Sequence, residues 1–218
     1  RKPSNIDWNA AASIPEVYAT CWLNLFMEAY MQKGDKVVFH AGASGIGTAG
    51  IQLAKAYGCK SFVTAGSKEK IDFCINLGAE AGEVRTEDIF SEIKKWAPEG
   101  VNIILDPVGA NYLENNLSVL GTEGRLVIIG LMGGGVANLN LGHLMIKRQK
   151  IIGSTIRARS IEAKNLVMKN IETEVLPLFE AGEIKPIIHE ILPFSESERA
   201  HEIMEANENI GKIILSLN

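Results

Sequence analysis

The chain has 218 residues, 46% of them hydrophobic, and a formal charge of −4 at pH 7. This size and composition suit one large domain, or one domain and a small lobe, with an ample core. The acidic balance without a lysine run argues against nucleic acid as a partner, and the short apolar runs argue against a membrane span. Cys21, Cys59 and Cys74 are widely spaced, so we expect free thiols in a reducing, cytoplasmic setting. We also expect no signal peptide, and an origin inside a longer protein because no initiator methionine is present.

The first helix signal lies at residues 13–16, which read Ser-Ile-Pro-Glu. This has the form of a capping box with proline near the first helical position. The apolar side chains that follow predict a helix that ends near Lys33 and Gly34.

Residues 37–55 are the stretch around which the chain is organised, and they read VVFHAGASGIGTAGIQLAK. An apolar β-prone run is followed by a turn of small residues and then by a helix that Gly58 ends. The first amides of such a helix lack partners and carry a partial positive charge, which suits a dinucleotide pyrophosphate. The turn over 42–47 has Ser44 where the strict G-x-G-x-x-G pattern has glycine. The alternative is a glycine-rich turn that binds nothing.

The second predicted strand, 61–65, ends at Gly-Ser-Lys-Glu-Lys over 66–70. This tip lies about 20 residues beyond the glycine turn, the separation typical of the residue that reads the ribose 2′ position. NAD-binding proteins usually place an acidic residue there. The hydroxyl of Ser67 and the ammonium groups of Lys68 and Lys70 suit a 2′-phosphate instead, so we expect NADP(H). For one of the two lysines, an exposed position on a first helical turn is the alternative.

Apolar strands alternate with amphipathic helices along the next part of the chain. Arg85 follows a brief extended piece, where it either stacks on adenine or lies exposed in a loop. Pro177 is expected to kink or shorten the longest helix. The pattern predicts a Rossmann fold, an α/β architecture with a doubly wound parallel six-stranded sheet. The later predicted elements are helices over 70–77, 87–96, 111–120, 143–147 and 161–181, and strands over 101–106, 125–130 and, at the sheet edge, 150–156.

The pattern changes beyond Gly182. A strand over 187–192, a helix over 195–206 and a strand over 212–215 follow, and the two strands have no obvious place in the six-stranded sheet.

Four blocks of sequence occur together: IPEVYAT with Trp22 over 14–22, HAGASGIG over 40–47, LMGGG over 131–135, and EAN with NIGK over 205–212. In combination they resemble the quinone-oxidoreductase (zeta-crystallin-like) branch of the medium-chain dehydrogenase/reductases. Members of that family have an N-terminal GroES-like catalytic domain, a cofactor domain, and a last segment that returns to complete the catalytic domain.

The resemblance implies that residues 1–185 are the NADP-binding domain with its preceding helix, and that 186–218 is the returning strand-helix-strand remnant. The N-terminal domain is then missing from this chain. We expect the remnant to be poorly covered, or to pair with another part of the molecule.

The resemblance also implies roles for individual residues. The turn would hold the pyrophosphate, the tip of the second strand would read the 2′-phosphate, and Arg85 stands where relatives often place a tyrosine near the adenine. Thr20, Val108, Leu131 and Met132 would surround the nicotinamide, and Asn207 would contact the cofactor from the returning segment. The candidate cofactor-binding residues are Thr20, Ser44, Gly45, Ile46, Gly47, Gly66, Ser67, Lys70, Arg85, Val108, Leu131, Met132 and Asn207.

The function implied is zinc-independent, NADPH-dependent reduction of quinones or related conjugated carbonyls by hydride transfer, in a homodimer formed through strand 150–156. No catalytic residue is assigned. An enoyl or alkenal reductase is one alternative, and a non-catalytic NADPH-binding and dimerisation module is another. A short-chain dehydrogenase would need a Tyr-x-x-x-Lys pair, and residues four positions after Tyr18, Tyr30, Tyr57 and Tyr112 are not lysine.

The remaining polar candidates have ordinary interpretations. Asp106 ends a strand, where it either caps a turn or touches substrate. The histidines lack metal-ligand spacing and are expected to be structural or exposed: His40, His143, His189 and His201.

Overall fold

The computed structural model describes residues 2–85 and 88–217. In these residues six parallel strands form one sheet in the order β3-β2-β1-β4-β5-β6. This confirms the predicted doubly wound fold. The strands are β1 Lys36–Phe39, β2 Lys60–Ala65, β3 Ala81–Val84, β4 Val101–Asp106, β5 Leu120–Ile128 and β6 Lys150–Gly153.

Helices cover both faces of this sheet. The helices of the described residues, of which the last belongs to the C-terminal segment, are α1 Trp8–Ala12, α2 Ile14–Cys21, α3 Gly45–Ala56, α4 Lys68–Leu77, α5 Ile89–Trp96, α6 Leu113–Val119, α7 Leu141–Ile146, α8 Ile161–Asn170, α9 Leu176–Glu180 and α10 Ser197–Glu205. Within the described ranges, none of them has both the length and the hydropathy needed to cross a bilayer. Short 3₁₀ turns occur at Ala110–Tyr112 and Phe194–Glu196.

Strand β1 shows how the sheet buries both faces. Val37 and Phe39 pack in a core cluster that includes Ile51 of α3, whereas Val38 packs in a second cluster with Ile93 of α5. Successive side chains of a strand point to opposite faces, so a continuous apolar run is what a strand covered on both sides requires.

The predicted capping box at residues 13–16 is wrong. Ser13 ends α1: its backbone is helical, and its hydroxyl donates to Ala10 O at 2.7 Å. Glu16 instead pairs with Lys212, with 3.4 Å between Oε2 and Nζ. The following helix changes to a π-helical segment at Trp22–Glu28.

The helix predicted over 161–181 is interrupted just before Pro177, and α9 continues through the proline. A π-helical segment, Ile171–Val175, separates α8 from α9. Proline lacks an amide hydrogen and crowds the carbonyl four residues earlier, and a wider turn before it relieves that crowding.

Two strands differ from prediction by more than one residue. β5 starts at Leu120 because its register with β4 shifts after Val101, which places Gly121 and Gly124 inside the strand rather than before it. The edge strand predicted over 150–156 ends at Gly153, after which Ser154 still donates its amide to Ile128 O at 3.0 Å. Glu87, predicted to start a helix, lies outside the described residues.

The C-terminal segment forms its own small sheet. β7 Ile188–Pro193 and β8 Lys212–Ser216 pair in parallel. The helix between them, α10, packs on this sheet in a small core that includes Leu192 of β7 and Ile203 of α10. As expected, the two strands have no place in the six-stranded sheet, but they pair with each other rather than with another part of the molecule. Asn218, the end of the predicted segment, lies outside the described residues.

Candidate cofactor site

The glycine turn closes tightly between β1 and α3. Gly42 donates its amide to Thr64 O at 2.8 Å, and Ala41 has a φ of 57°, in the left-handed region. A Cβ on Gly47 would lie 2.4 Å from Gly42 O and 2.6 Å from Ala41 O, so no side chain fits there without a backbone shift. The turn therefore needs glycine at position 47.

Two amides at the start of α3 are free to bind an anion. Ser44 is the N-cap, and its Oγ accepts from the Gly47 amide at 3.0 Å. Within residues 2–85 and 88–217, the half-buried amides of Gly45 and Ile46 donate to no acceptor. Because helix N-termini attract negative charge, these donors and Ser44 fit a pyrophosphate.

The C-terminal segment reaches this turn. Gly211 pairs with Ser44 and donates its amide to Ala43 O at 2.9 Å. A Cβ on Gly45 would lie 2.6 Å from Lys212 Cδ. Gly45 thus accommodates the stem of Lys212, a requirement that the sequence did not indicate.

The tip of β2 gathers the residues predicted to read the 2′ position. Ser67 caps α4, and its Oγ accepts from the Lys70 amide at 3.3 Å. Lys70 Nζ donates to Asn207 O and, at 3.0 Å, to Asn209 O. An ammonium group has three donors, so one remains for a phosphate oxygen. Desolvation, and then repulsion by Arg85, lowers the pKa of Lys70.

Arg85 lies beside the same tip. Its Nη2 would be 3.2 Å from a Cβ on Gly66, and among the described residues it forms no ion pair. Lys68, in contrast, pairs with Asp72 at 2.9 Å. Lys70 and Arg85 therefore form a positive pair to which an anion can bind, a geometry that suits a phosphate better than adenine stacking alone.

Three of the four residues predicted near the nicotinamide, Val108, Leu131 and Met132, follow the ends of β4 and β5. Gly133 donates its amide to Val108 O at 2.7 Å, and Met132 donates to Pro107 O at 3.2 Å. These bonds fix the loop that carries Leu131 and Met132, whose side chains are 60% and 70% exposed. The loop thus presents apolar surface at the carboxyl edge of the sheet.

Thr20 is buried on α2, next to the glycine turn. The thiol of its neighbour Cys21 donates to Ile46 O at 3.2 Å, which holds α2 against the start of α3. All predicted cofactor residues therefore lie along the carboxyl edge of the sheet or on the elements that pack against it.

A chain of buried polar side chains underlies this edge. Thr64 Oγ1 lies 3.1 Å from His40 Nδ1, His40 Nε2 lies 2.8 Å from Asn116 Oδ1, and Asn116 Nδ2 lies 3.1 Å from Asp106 Oδ2. Each of the four residues is at most 3% exposed. Desolvation raises the pKa of Asp106, against the opposing effect of the Val108 and Gly109 amides and Asn116.

The burial of His40 agrees with the prediction that it is structural. Asp106 caps a turn, which is one of the two roles predicted for it. Asn116 was not anticipated. The one signal for it in the sequence is an amide side chain next to Leu117, on the apolar side of a short helix.

The burial of His40 predicts acid sensitivity. Desolvation lowers the pKa of His40 to about 4, against about 6.5 in an unfolded chain. The stability that depends on a neutral His40 is therefore complete above the unfolded-chain pKa and is lost as the pH falls through the folded-state pKa. Between about pH 7 and pH 5 we expect the pKa difference of His40 to lower the free energy of unfolding by about 2 kcal/mol. Urea unfolding of the wild type and His40→Gln at both pH values measures this. Asp106, whose raised pKa acts in the opposite direction, is present in both proteins, so equal pH slopes would contradict a neutral buried His40.

The other histidines, His143, His189 and His201, are exposed. In the part of the chain that the structure describes, no three His, Cys, Asp or Glu side chains are grouped to hold a metal ion.

Comparison with known proteins gives one family. Residues 45–173 match the family model described as zinc-binding dehydrogenase. Human quinone oxidoreductase is 30% identical over 218 residues, which are 99% of this chain and 64% of that protein. The chain therefore spans less than two thirds of the length of this relative.

Two solved structures share the fold. The quinone oxidoreductase from Thermus thermophilus, whose structures include a complex with NADPH, superposes with a TM-score of 0.85 at 26% identity over 98% of this chain and 69% of that one. The CurK enoyl reductase superposes with a TM-score of 0.81 at 28% identity over 99% of this chain and 64% of that one.

Proposed function

Because this chain belongs to the zinc-binding dehydrogenase family of the medium-chain dehydrogenase/reductases, we propose that it supplies the NADPH-binding domain of a quinone oxidoreductase. The substrates are quinones or related conjugated carbonyls, and the reduction is independent of zinc. Residues 1–185 form the cofactor domain in this proposal, and 186–218 complete a catalytic domain that lies mostly outside this chain. The three buried free thiols favour a reducing, cytoplasmic setting.

The observation that carries the proposal is the arrangement of three features along one sheet edge. The amides of Gly45 and Ile46 suit a pyrophosphate, and the positive pair of Lys70 and Arg85 suits a 2′-phosphate. The loop with Leu131 and Met132 presents apolar surface to a ring. Along the sheet these features follow the order 2′-phosphate at β2, pyrophosphate after β1 and ring after β5, and ligands of doubly wound sheets bind at the carboxyl ends of the strands.

The chain's own contribution to the reaction is position and polarity. When bound, the nicotinamide supplies the hydride that the substrate accepts. The Asp106-capped turn and the loop after β5 would set the height of the ring, and Leu131 and Met132 would shield one side of it from water.

A second candidate within the same chemistry is an enoyl reductase. The likeness to the CurK enoyl reductase favours it, because 99% of this chain superposes on that protein. Quinones and conjugated enoyl groups both accept hydride, so the cofactor half of the site is compatible with either.

We expect the intact polypeptide to oxidise NADPH with a simple quinone. The absorbance of NADPH reports turnover, NADPH fluorescence reports binding, and an enoyl thioester offered in place of the quinone tests the second candidate. Turnover of the thioester alone would replace the quinone proposal. Binding without turnover of either substrate would select the non-catalytic module, and a failure to bind NADPH would reject all three.

We also propose a homodimer through the edge strand predicted over 150–156, of which residues 150–153 form β6. Its outer edge has no neighbouring strand in the described residues, and Met145 and Ile146 beside it are 73% and 71% exposed. Unpaired edges and apolar patches invite association. Light scattering is expected to give twice the chain mass, and a monomer at high concentration would contradict the pairing.

A further inference from the structure

The buried polar chain has a definite direction. Asp106 accepts from the amide of Val108 at 2.6 Å and from that of Gly109 at 3.2 Å. An ionised carboxylate only accepts, so Asn116 presents its amino group to Asp106 and its carbonyl oxygen to His40. His40 therefore carries its proton on Nε2, and Nδ1 accepts from the Thr64 hydroxyl.

The buried polar chain ends at Asp106, which accepts from the turn at residues 107–109. That turn is hydrogen-bonded to the loop after β5. Besides the bonds from Met132 and Gly133, Ala110 donates its amide to Gly134 O at 3.0 Å. A Cβ on Gly109, whose φ is 83°, would lie 2.9 Å from the same oxygen. The turn and the loop are therefore packed backbone to backbone and move together.

Burial makes the hydrogen bonds of the buried polar chain depend on one another. A buried acceptor without a donor is costly, so each group keeps its orientation only while its neighbours keep theirs. Loss of the His40 donor leaves Asn116 Oδ1 unpaired and lets the side chain rotate, which weakens the bond to Asp106. Two side chains, Asn116 and Asp106, connect His40 to the turn.

We propose that His40 is a positioning residue for hydride transfer: through Asn116 and Asp106 it fixes the turn at 107–109 and the loop after β5, and so the seat of the nicotinamide ring. The inference rests on the proposed function. It predicts a larger effect on the transfer step than on cofactor affinity, because in the described residues the His40 side chain bonds Thr64 and Asn116 and not the groups proposed to hold the phosphates. A displacement of about 1 Å is enough to slow a reaction about 100-fold.

The test compares His40→Phe with His40→Gln in the intact polypeptide. His40→Phe removes both hydrogen bonds, and we expect single-turnover hydride transfer to slow about 30-fold while the Kd for NADPH changes less than about threefold. His40→Gln keeps an amino group to donate to Asn116 and should recover part of the rate. Thr64→Val, which replaces the hydroxyl with a methyl group, gives a milder loss should His40→Phe not fold.

Amide hydrogen exchange of Val108 and Gly109 provides a readout that needs no cofactor. We expect at least about tenfold faster exchange in His40→Phe and no change at Gly47. The matched control is Gln149→Leu. The buried amide of Gln149 donates to Leu117 O at 2.9 Å, on the helix that also carries Asn116, but it does not bond Asp106. Its transfer rate should remain that of the wild type.

Unchanged exchange at Val108 and Gly109 in His40→Phe would overturn the inference, whatever the activity. A matching loss of transfer rate in Gln149→Leu would overturn it too, since the effect would then be general destabilisation. Faster exchange in a protein whose wild type binds no NADPH would defeat the proposed function and leave the positioning of the turn supported.

Discussion

Replacing Gly47 with alanine is expected to lower the free energy of unfolding by about 3 kcal/mol, the upper range for forced overpacking. The added methyl group would lie 2.4 Å from Gly42 O, and both atoms are held by backbone, so the turn itself must move. That movement displaces the amides of Gly45 and Ile46. Hydrogen bonds to a charged group are worth about 1.5–3 kcal/mol each, so NADPH affinity should fall about 100-fold. Urea unfolding and fluorescence titration measure the two effects.

Gly50→Ala separates the two effects within the same helix. Its methyl group would meet the Phe39 ring, 2.4 Å from Cε1, in the core beneath α3. We expect a similar loss of stability, about 1–3 kcal/mol, with NADPH affinity of the folded protein unchanged within about threefold. Equal losses of affinity in both variants would show that the turn's own geometry does not matter for the cofactor.

The fold was predictable from sequence because local rules determine most of it. The alternation of Val37, Val38 and Phe39 between two faces follows from the period of a strand, and glycine at position 47 follows from the steric limits of a tight turn. Each of these features lies within a few residues of the pattern that predicts it. The predicted site residues gathered for the same reason, since the ends of parallel strands meet at one edge.

The features of the site that escaped prediction join distant parts of the chain. His40 and Asn116 are 76 residues apart, and Lys70 and Asn209 are 139 residues apart. No periodicity marks such pairs, because hydrogen-bond partners are chosen by packing after the elements have formed. The late start predicted for β5 has a related cause: Gly121 and Gly124 resemble turn residues, and a register shift against β4 keeps them in the strand.

Replacing Lys70 with methionine is expected to weaken NADPH binding about 50-fold and to leave NADH binding nearly unchanged. The lost interaction is a charge-assisted hydrogen bond to the 2′-phosphate, worth about 1.5–3 kcal/mol. Lys70 also ties down the carbonyls of Asn207 and Asn209. That second role is common to both cofactors, so the NADH affinity measures it and the ratio of the two affinities isolates the phosphate contact.

Lys68→Met is the matched control for this substitution. Lys68 lies on the same helical turn and carries the same charge, but its ammonium group already pairs with Asp72 at 2.9 Å. Surface pairs of this kind contribute about 0–1 kcal/mol, so its removal should change neither affinity by more than about threefold. Lys70→Glu should go further and reverse the preference, because a carboxylate repels the phosphate and can accept from a free 2′-hydroxyl. An NADPH preference that survives Lys70→Glu would assign the selectivity to Arg85 alone, and Lys70 would then serve only to hold the C-terminal segment against the sheet.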